Sequence, residues 1–485
     1  MNFTNAFHAV GWGLLCFGLL LAAPLLLALT ADEARQVAPF AGSMFLALFC
    51  GGLIAIGTRH RSPRTTRRDG ILVALALWFL LPLFGALPLY LGGTGLSFAD
   101  AWFEALSGLT TTGASVIPNV AELPRSLVFW RGLLQWFGGL MSLIFLIVVF
   151  TDFDFLGLAQ RPAVIPGSER QDLPERLGQA LAECWWLYLS LTAACAVALW
   201  LAGMPSFIAV NHAFSIVSSG GFSTAPGDAA YAGNAAIALV MIVFMLLSSI
   251  AFALHWAAAR GKFSVYGQDP ETRYLLAAWL LAFLVFFTAL TGKGLSVDDG
   301  LLTAAFNVTS LLSTTGYVLQ PGSGGFLWPS LIVIAGMVLV LVGPSSGTAA
   351  GGLKLVRLAL LFKQSWREVE RLSFPHGMVP LRYGRFRIQR SALRSAWAVL
   401  VLFLSGFVFL ALVLNYLGVV FDDALALSAA SIANAGPAIG LMSGHGLGYS
   451  ELSAAVKAWL MLGMVFGRVE FFAIVIVFHG FFWRR

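Results

Sequence analysis

Four short stretches of this sequence hold the residue types that suit a bare cation. They are Thr110-Thr111-Thr112-Gly113-Ala114-Ser115, Ser218-Ser219-Gly220-Gly221-Phe222-Ser223, Ser313-Thr314-Thr315-Gly316-Tyr317 and Asn434-Ala435-Gly436-Pro437. None contains Asp or Glu. Neutral carbonyl oxygens replace the water around a large monovalent cation, whereas sodium or calcium sites more often recruit carboxylates. Glycine gives such a turn backbone angles that a residue with a Cβ resists. One stretch alone would pass for an ordinary Ser/Thr turn, so the signal is the recurrence, at a period of about a hundred residues.

Each turn ends a short apolar run and precedes a long one, which reads as a loop dipping into a membrane. Of 485 residues, 59% are hydrophobic and 11% charged; a soluble domain carries about a quarter charged, so many membrane helices are expected. The net charge of +6 does not call for nucleic acid, because the basic residues fall in a few loops, as membrane topology requires. Cys16, Cys50, Cys184 and Cys195 sit singly without metal or disulfide spacing, and no redox role follows. Residues 9–29 are too long for a secretory signal core and lack a basic flank, so they read as a retained helix.

The fold class expected is an all-α polytopic membrane protein: four tandem helix–pore helix–filter–helix repeats around one pore, preceded by two extra transmembrane helices. Residues 1–69 hold the N-terminal helices (9–29 and 37–57) and a basic loop. Residues 70–150 form the first pore repeat, with helices at 71–91, 98–109 and 126–150. Residues 151–258 form the second, with helices at 183–202, 207–217 and 235–258. Residues 259–361 form the third, with helices at 274–290, 299–312 and a broken 326–361, and 362–485 the fourth, with 393–417, 423–432 and 454–482. Ten spans with both termini cytoplasmic place the turns outside. The Arg cluster at residues 59–68, the Arg-rich stretch 363–394 and the C-terminal Arg484 and Arg485 then lie inside. Pro375 and Pro380 argue against one plain helix across 363–394. Asp100, Asp298, Asp299, Asp422 and Asp423 stand at the starts of three short helices, where N-capping is the plain role and cation attraction an added one.

Two further features lie within apolar spans. Gly343-Pro344-Ser345-Ser346-Gly347-Thr348-Ala349-Ala350-Gly351-Gly352 is too rich in Gly, Pro and Ser to continue a lipid-facing helix, and such backbone must line a cavity or pack on protein. Arg468 is costly in a span, by roughly 3 kcal/mol, unless it faces water or a partner; Glu470, two positions on, is out of helical phase. His212, His255 and His479 lack the companions of a metal site and read as packing or interfacial residues. No cluster of carboxylates, His or Cys suits catalysis, so no enzyme is expected. No Gly-Lys-Ser/Thr loop cradles phosphate, so any nucleotide dependence must come from another chain. The alternative is a secondary transporter of a small organic solute with a broken-helix binding site, which predicts one pair of broken segments.

The residues just read, taken with Phe103-Glu104-Ala105-Leu106-Ser107-Gly108, Trp130-Arg131, Gln135-Trp136, Ser223-Thr224 and Gly467-Arg468-Val469-Glu470, give the chain its resemblance to a known family. It resembles the membrane subunit of the Trk/Ktr/HKT potassium transporters, most closely the bacterial TrkH type, over nearly its whole length. The third turn is also similar to the Thr-Val-Gly-Tyr-Gly filter of potassium channels. The resemblance implies potassium uptake across the bacterial cytoplasmic (inner) membrane, with a filter built from Thr111, Thr112, Gly113, Ser219, Gly220, Thr314, Thr315, Gly316, Asn434, Ala435 and Gly436. Gly113, Gly220, Gly316 and Gly436 would be its four glycines, and Gly113 in place of serine implies potassium over sodium. It further implies an intramembrane gate with Gly343, Ser345, Ser346, Gly347, Gly351 and Gly352, although Pro344 and Ser346 depart from the family's version. Arg468 would face the pore beside that gate; the plainer role is an inter-helix salt bridge. The expected partners are a second copy of the chain and a cytosolic TrkA-type nucleotide-binding regulatory subunit. This chain itself would bind no cofactor.

Overall fold

Backbone groups in a bilayer find no water, so an apolar run either closes its hydrogen bonds as a helix or is covered by protein. The computed structural model describes residues 3–59, 67–146, 173–224, 234–321, 326–373, 382–383, 386–388, 390–443 and 447–469. They are helical almost throughout. Preceding the first turn come α1 (Phe3–Leu20), α2 (Ala22–Thr30), α3 (Ala34–Gly57), α4 (Arg67–Leu91) and the short α5 (Phe98–Leu109). Around the second lie α6 (Arg125–Phe145), α7 (Leu173–Leu201), the short α8 (Ser206–Ser218), α9 (Ala235–Ser248), α10 (Phe252–Ala259) and α11 (Ser264–Gln268). The third turn follows α12 (Pro270–Gly292) and the short α13 (Val297–Leu312), and precedes α14 (Ser330–Val342) and α15 (Leu355–Ser373). A two-stranded antiparallel ribbon, β1 (Arg382–Tyr383) with β2 (Phe386–Arg387), leads to α16 (Arg390–Tyr416), the short α17 (Phe421–Ile432), α18 (Ile439–Met442) and α19 (Ala454–Val469).

The four short helices are the buried centre. Each long helix that follows a turn packs on the short helix of the next repeat: α6 on α8, α9 on α13, α14 on α17, and α19 back on α5. Thus the last repeat closes on the first. Helices α1 to α3 pack on one side, against α4 and α6. Leu26, Phe45, Ile56, Leu281, Val401 and Phe409 stand outward and exposed, which suits acyl chains as solvent.

Among the described residues seven helices are long and apolar enough to cross a membrane, or eight if α9 and α10 count as one span. Ten spans are expected from the sequence. The third repeat's second helix is split into α14 and α15, and the last is described only to Val469. Residues 147–150 and 470–482 of the expected helices, together with Pro375, Pro380, Arg385 and His479, lie outside the described residues. The expected single span over 235–258 is corrected: α9 and α10 meet at 99°. The break carries no proline. It is held by the interrupted segment, since Ser345 N–H donates to Ser249 O at 3.2 Å and Phe252 N–H to Gly347 O at 3.0 Å.

At the outer ends of α5 and α13 the capping residues are serines. Ser97 Oγ accepts from Asp100 N–H and donates to its carboxylate, and Ser296 does the same for Asp299. Asp100 and Asp299 therefore stand at the third helical position and accept from the capping serines, and are not the caps themselves.

Candidate functional site

All four short helices end alike. Thr111 (φ 49°), Ser219 (56°), Thr314 (57°) and Asn434 (52°) are left-handed, and each N–H bonds three residues back, to Gly108, Ile216, Leu311 and Ser431 O. Thr112 N–H then reaches Ser107 O at 2.8 Å, Gly220 N–H reaches Ser215 O at 2.7 Å and Ala435 N–H reaches Ala430 O at 2.8 Å. This is a Schellman cap, whose left-handed position normally belongs to glycine. Here it holds Thr, Ser, Thr and Asn, at a cost of roughly 1–2 kcal/mol each. Two residues further on stand Gly113 (φ 77°), Gly221 (78°) and Gly316 (83°), while Gly436 opens the 3-10 turn Gly436–Ala438. The expected register of the second turn is therefore corrected: Gly221, not Gly220, is the counterpart of Gly113. Gly220 corresponds instead to Thr112, Thr315 and Ala435.

The turns meet in a ring. A Cβ on Gly113 would lie 2.1 Å from Gly220 O, one on Gly221 2.1 Å from Thr315 O, and one on Gly316 3.0 Å from Ala438 N. One on Gly436 would lie 2.4 Å from Ala114 N, and Gly436 N–H donates to Thr112 O at 2.6 Å. The order is one, two, three, four, one. The filter residues named from the sequence, Thr111 to Gly113, Ser219, Gly220, Thr314 to Gly316 and Asn434 to Gly436, are all buried.

Behind the ring, one position on three of the four short helices supports a strand leaving a turn, and the sequence reading missed it; the fourth helix has Leu427 there. Glu104 accepts from Val116 N–H at 2.8 Å, Ser115 Oγ at 2.9 Å and Arg131 Nε at 2.8 Å. Arg131 in turn donates to Ser223 O at 3.2 Å and lies 4.2 Å over the Phe222 ring. The buried pair thereby ties the first strand to the second. Asn307, at the same offset from Gly316 as Glu104 from Gly113, bonds both N–H and O of Leu319. His212 holds this place in the second repeat and contacts Tyr317 Oη at 3.2 Å; that hydroxyl donates to Phe222 O at 2.9 Å. A polar residue nine positions before three of the four glycines was the available signal. On the same outer side as the caps, Lys457 Nζ pairs with Asp100 at 2.7 Å, joining α19 to α5.

Below the ring runs the interrupted segment, with Gly343 (φ 65°), Gly347 (79°) and Gly352 (77°) left-handed. Ser345 is pinned to Ser249 O, as given above. Ser346 N–H and Oγ donate to the fully buried Glu271 carboxylate at 2.5 and 2.8 Å. Gly351 lies against Ala433 O, where a Cβ would fall at 1.9 Å, and its N–H donates to Thr314 Oγ1 at 2.9 Å. Arg468 donates to Thr110 O, Thr111 Oγ1 and Ala349 O, so it bridges first turn and segment, and it makes no salt bridge among the described residues. Lys354 donates to Ala350 O and, at 3.3 Å, to Thr348 Oγ1. Lys354 and Glu271 were absent from the sequence reading; each stands at the edge of an apolar run. His255 bonds Tyr266 Oη and Leu247 O, a structural role. Among the described residues no group of His, Cys, Asp and Glu could hold a metal ion.

The arrangement can strip and pass a cation through neutral oxygens while covering the path on one side. The family described as TrkH, cation transport protein, matches residues 36–485. The Trk system potassium uptake proteins TrkH of Halomonas elongata and of Vibrio parahaemolyticus are each 34% identical over 496 residues, covering 100% of both chains. The Trk system potassium uptake protein TrkG of Escherichia coli is 31% identical over 98% of each chain. The crystal structure of the potassium transporter TrkH from Vibrio parahaemolyticus superposes with a TM-score of 0.89 at 33% identity, covering 100% of each chain.

Proposed function

Because the chain belongs to the TrkH family of cation transport proteins, we propose that it takes up potassium across the bacterial cytoplasmic membrane through the ring of four turns. It is a transport protein and not an enzyme, as its relatives are. The observation that carries the proposal is the cyclic closure of the ring by the Gly436 N–H to Thr112 O bond. Each short helix aims its C-terminal carbonyl end at its own turn, where the partial negative charge favours a cation without an anionic side chain. The carbonyls of Thr112, Gly220, Thr315 and Ala435, with those of the neighbouring turn residues, then stand in for water around potassium.

The 343–354 segment is the gate, and Arg468 sets a positive charge beside it on the cation path. The distribution of basic residues supports an orientation with the ring outside and both termini inside. On the inner side, Lys363, Arg367, Arg371 and Arg382 on α15 and β1 offer a basic face to a TrkA-type nucleotide-binding subunit. Nucleotide acts only through that partner, and the chain works as a homodimer.

In cells lacking their own potassium importers, the protein co-expressed with its host's regulatory subunit restores growth at limiting potassium and takes up radioactive rubidium. No rescue by protein present in the membrane refutes the proposal. Gly113→Ser lowers the preference for potassium over sodium, since its Cβ must displace Gly220 O; unchanged ion ratios in reconstituted variant count against the ring as filter.

A further inference from the structure

The left-handed residue of each turn carries a side-chain oxygen, and the four are not used alike. Asn434 turns its Nδ2 to Thr112 Oγ1 and Met464 O, both at 2.9 Å. The other three are hydroxyls. Thr111 Oγ1 accepts from Arg468 Nη2, and Thr314 Oγ1 accepts from Gly351 N–H at 2.9 Å. Both donors come from the gate side, so these oxygens face the gate. Ser219 Oγ, at the same position of the second turn and fully buried, has no hydrogen-bond partner among the described residues.

We infer that Thr111 Oγ1, Ser219 Oγ and Thr314 Oγ1 form an inner site for a potassium-sized monovalent cation, and that its occupation competes with the closed gate. A hydroxyl that aims a lone pair at an N–H cannot aim that pair at a cation, and the Arg468 guanidinium repels one nearby. Closing the gate therefore takes a lone pair from two of the three ligands and adds a like charge. By linkage, the cation weakens the closed gate by the factor that the closed gate weakens the cation. The permeant ion itself would thus favour opening, with Ser219 the one hydroxyl ready in both states. This rests on the reading of the ring as the cation path.

The test follows the gate, not the flux. In protein with Cys16, Cys50, Cys184 and Cys195 replaced by alanine and Ala350→Cys introduced, the rate of modification by a small charged thiol reagent is measured in liposomes. Potassium is titrated against N-methylglucamine at constant ionic strength. The rate is expected to rise saturably with potassium. Ser219→Ala touches neither Arg468 nor Gly351 and moves the midpoint up by about tenfold, as loss of one ligand hydroxyl implies. Thr314→Val gives a fast rate at every concentration. A parent rate indifferent to potassium, or an unmoved midpoint in Ser219→Ala, overturns the inference. Rubidium uptake in the same liposomes separates the two readings: uptake with potassium-indifferent labelling rejects the competition alone, and absent uptake rejects the ring as path and the inner site with it.

Discussion

Gly220 and Gly221 are adjacent and chemically identical, yet the ring assigns them different work, so alanine at each should give unequal results. At Gly221 a methyl would lie 2.1 Å from Thr315 O and 2.9 Å from Pro437 Cγ, at φ +78°. The left-handed angle costs about 1–2 kcal/mol, and relieving overlap with a neighbouring backbone adds about 1–3 kcal/mol. At Gly220 the nearest atom is Gln135 Cδ at 2.5 Å. That side chain can turn aside, giving up its hydrogen bond from Phe222 N–H at 3.3 Å, worth about 1 kcal/mol. The difference, about 1–4 kcal/mol, corresponds to a factor of five at the least. Purified, monodisperse variants in liposomes should therefore differ in potassium-over-sodium preference and in rubidium uptake, with Gly221→Ala at least fivefold the worse. A Gly220→Ala that is equally or more impaired would refute the register and the ring geometry built on it.

Arg131→Met strands the buried Glu104 carboxylate and should destabilise the detergent-solubilised protein by about 3–5 kcal/mol; Glu104→Gln added to it should recover part of the loss, and strictly additive melting shifts would dissolve the pair. Arg468→Ala removes the bonds to Thr111 Oγ1 and Ala349 O along with a charge on the path, so flux should rise; a fall would make the arginine a structural strut. Burial pushes the Asp100 carboxyl up, but the hydrogen bonds from Lys457 and Ser97 and the Lys457 charge outweigh it and hold it below the ordinary value of 3.8. A depressed carboxyl contributes stability above that value and loses it as pH falls through its own lower pKa. Being partly exposed, the pair is worth at most about 1 kcal/mol. Lys457→Met should lower stability slightly at neutral pH and flatten its decline below about pH 4; identical acid profiles for parent and variant would count against the pair.

Much of this was legible locally. Short apolar runs ending in Ser/Thr/Asn and Gly mark the turns because small polar residues and glycine are what a tight, buried cap requires. The register of the second turn was not, because two consecutive glycines look the same and only the φ of Gly221 tells them apart. The bend between α9 and α10 was hidden for another reason. Ser248-Ser249-Ile250-Ala251 carries no breaker, and its free backbone groups are satisfied by Ser345 and Gly347, about a hundred positions later. Glu271 went unread because its partner Ser346 lies 75 positions away in the chain.

The closure of the ring by its last member bears on how the chain is made. Asn434 reaches back 322 positions to Thr112, and α19 must dock on α5 before the first turn has its neighbour. A ribosome releases the repeats in order, so three of the turns can be inserted while the fourth quadrant is still unmade. An unfinished or truncated chain is an open arc lacking both Arg468 and the contact of Ala433 with Gly351. On the reading of the ring as filter and the interrupted segment as gate, both are completed only by the last repeat, which supplies the fourth turn, Ala433 and Arg468.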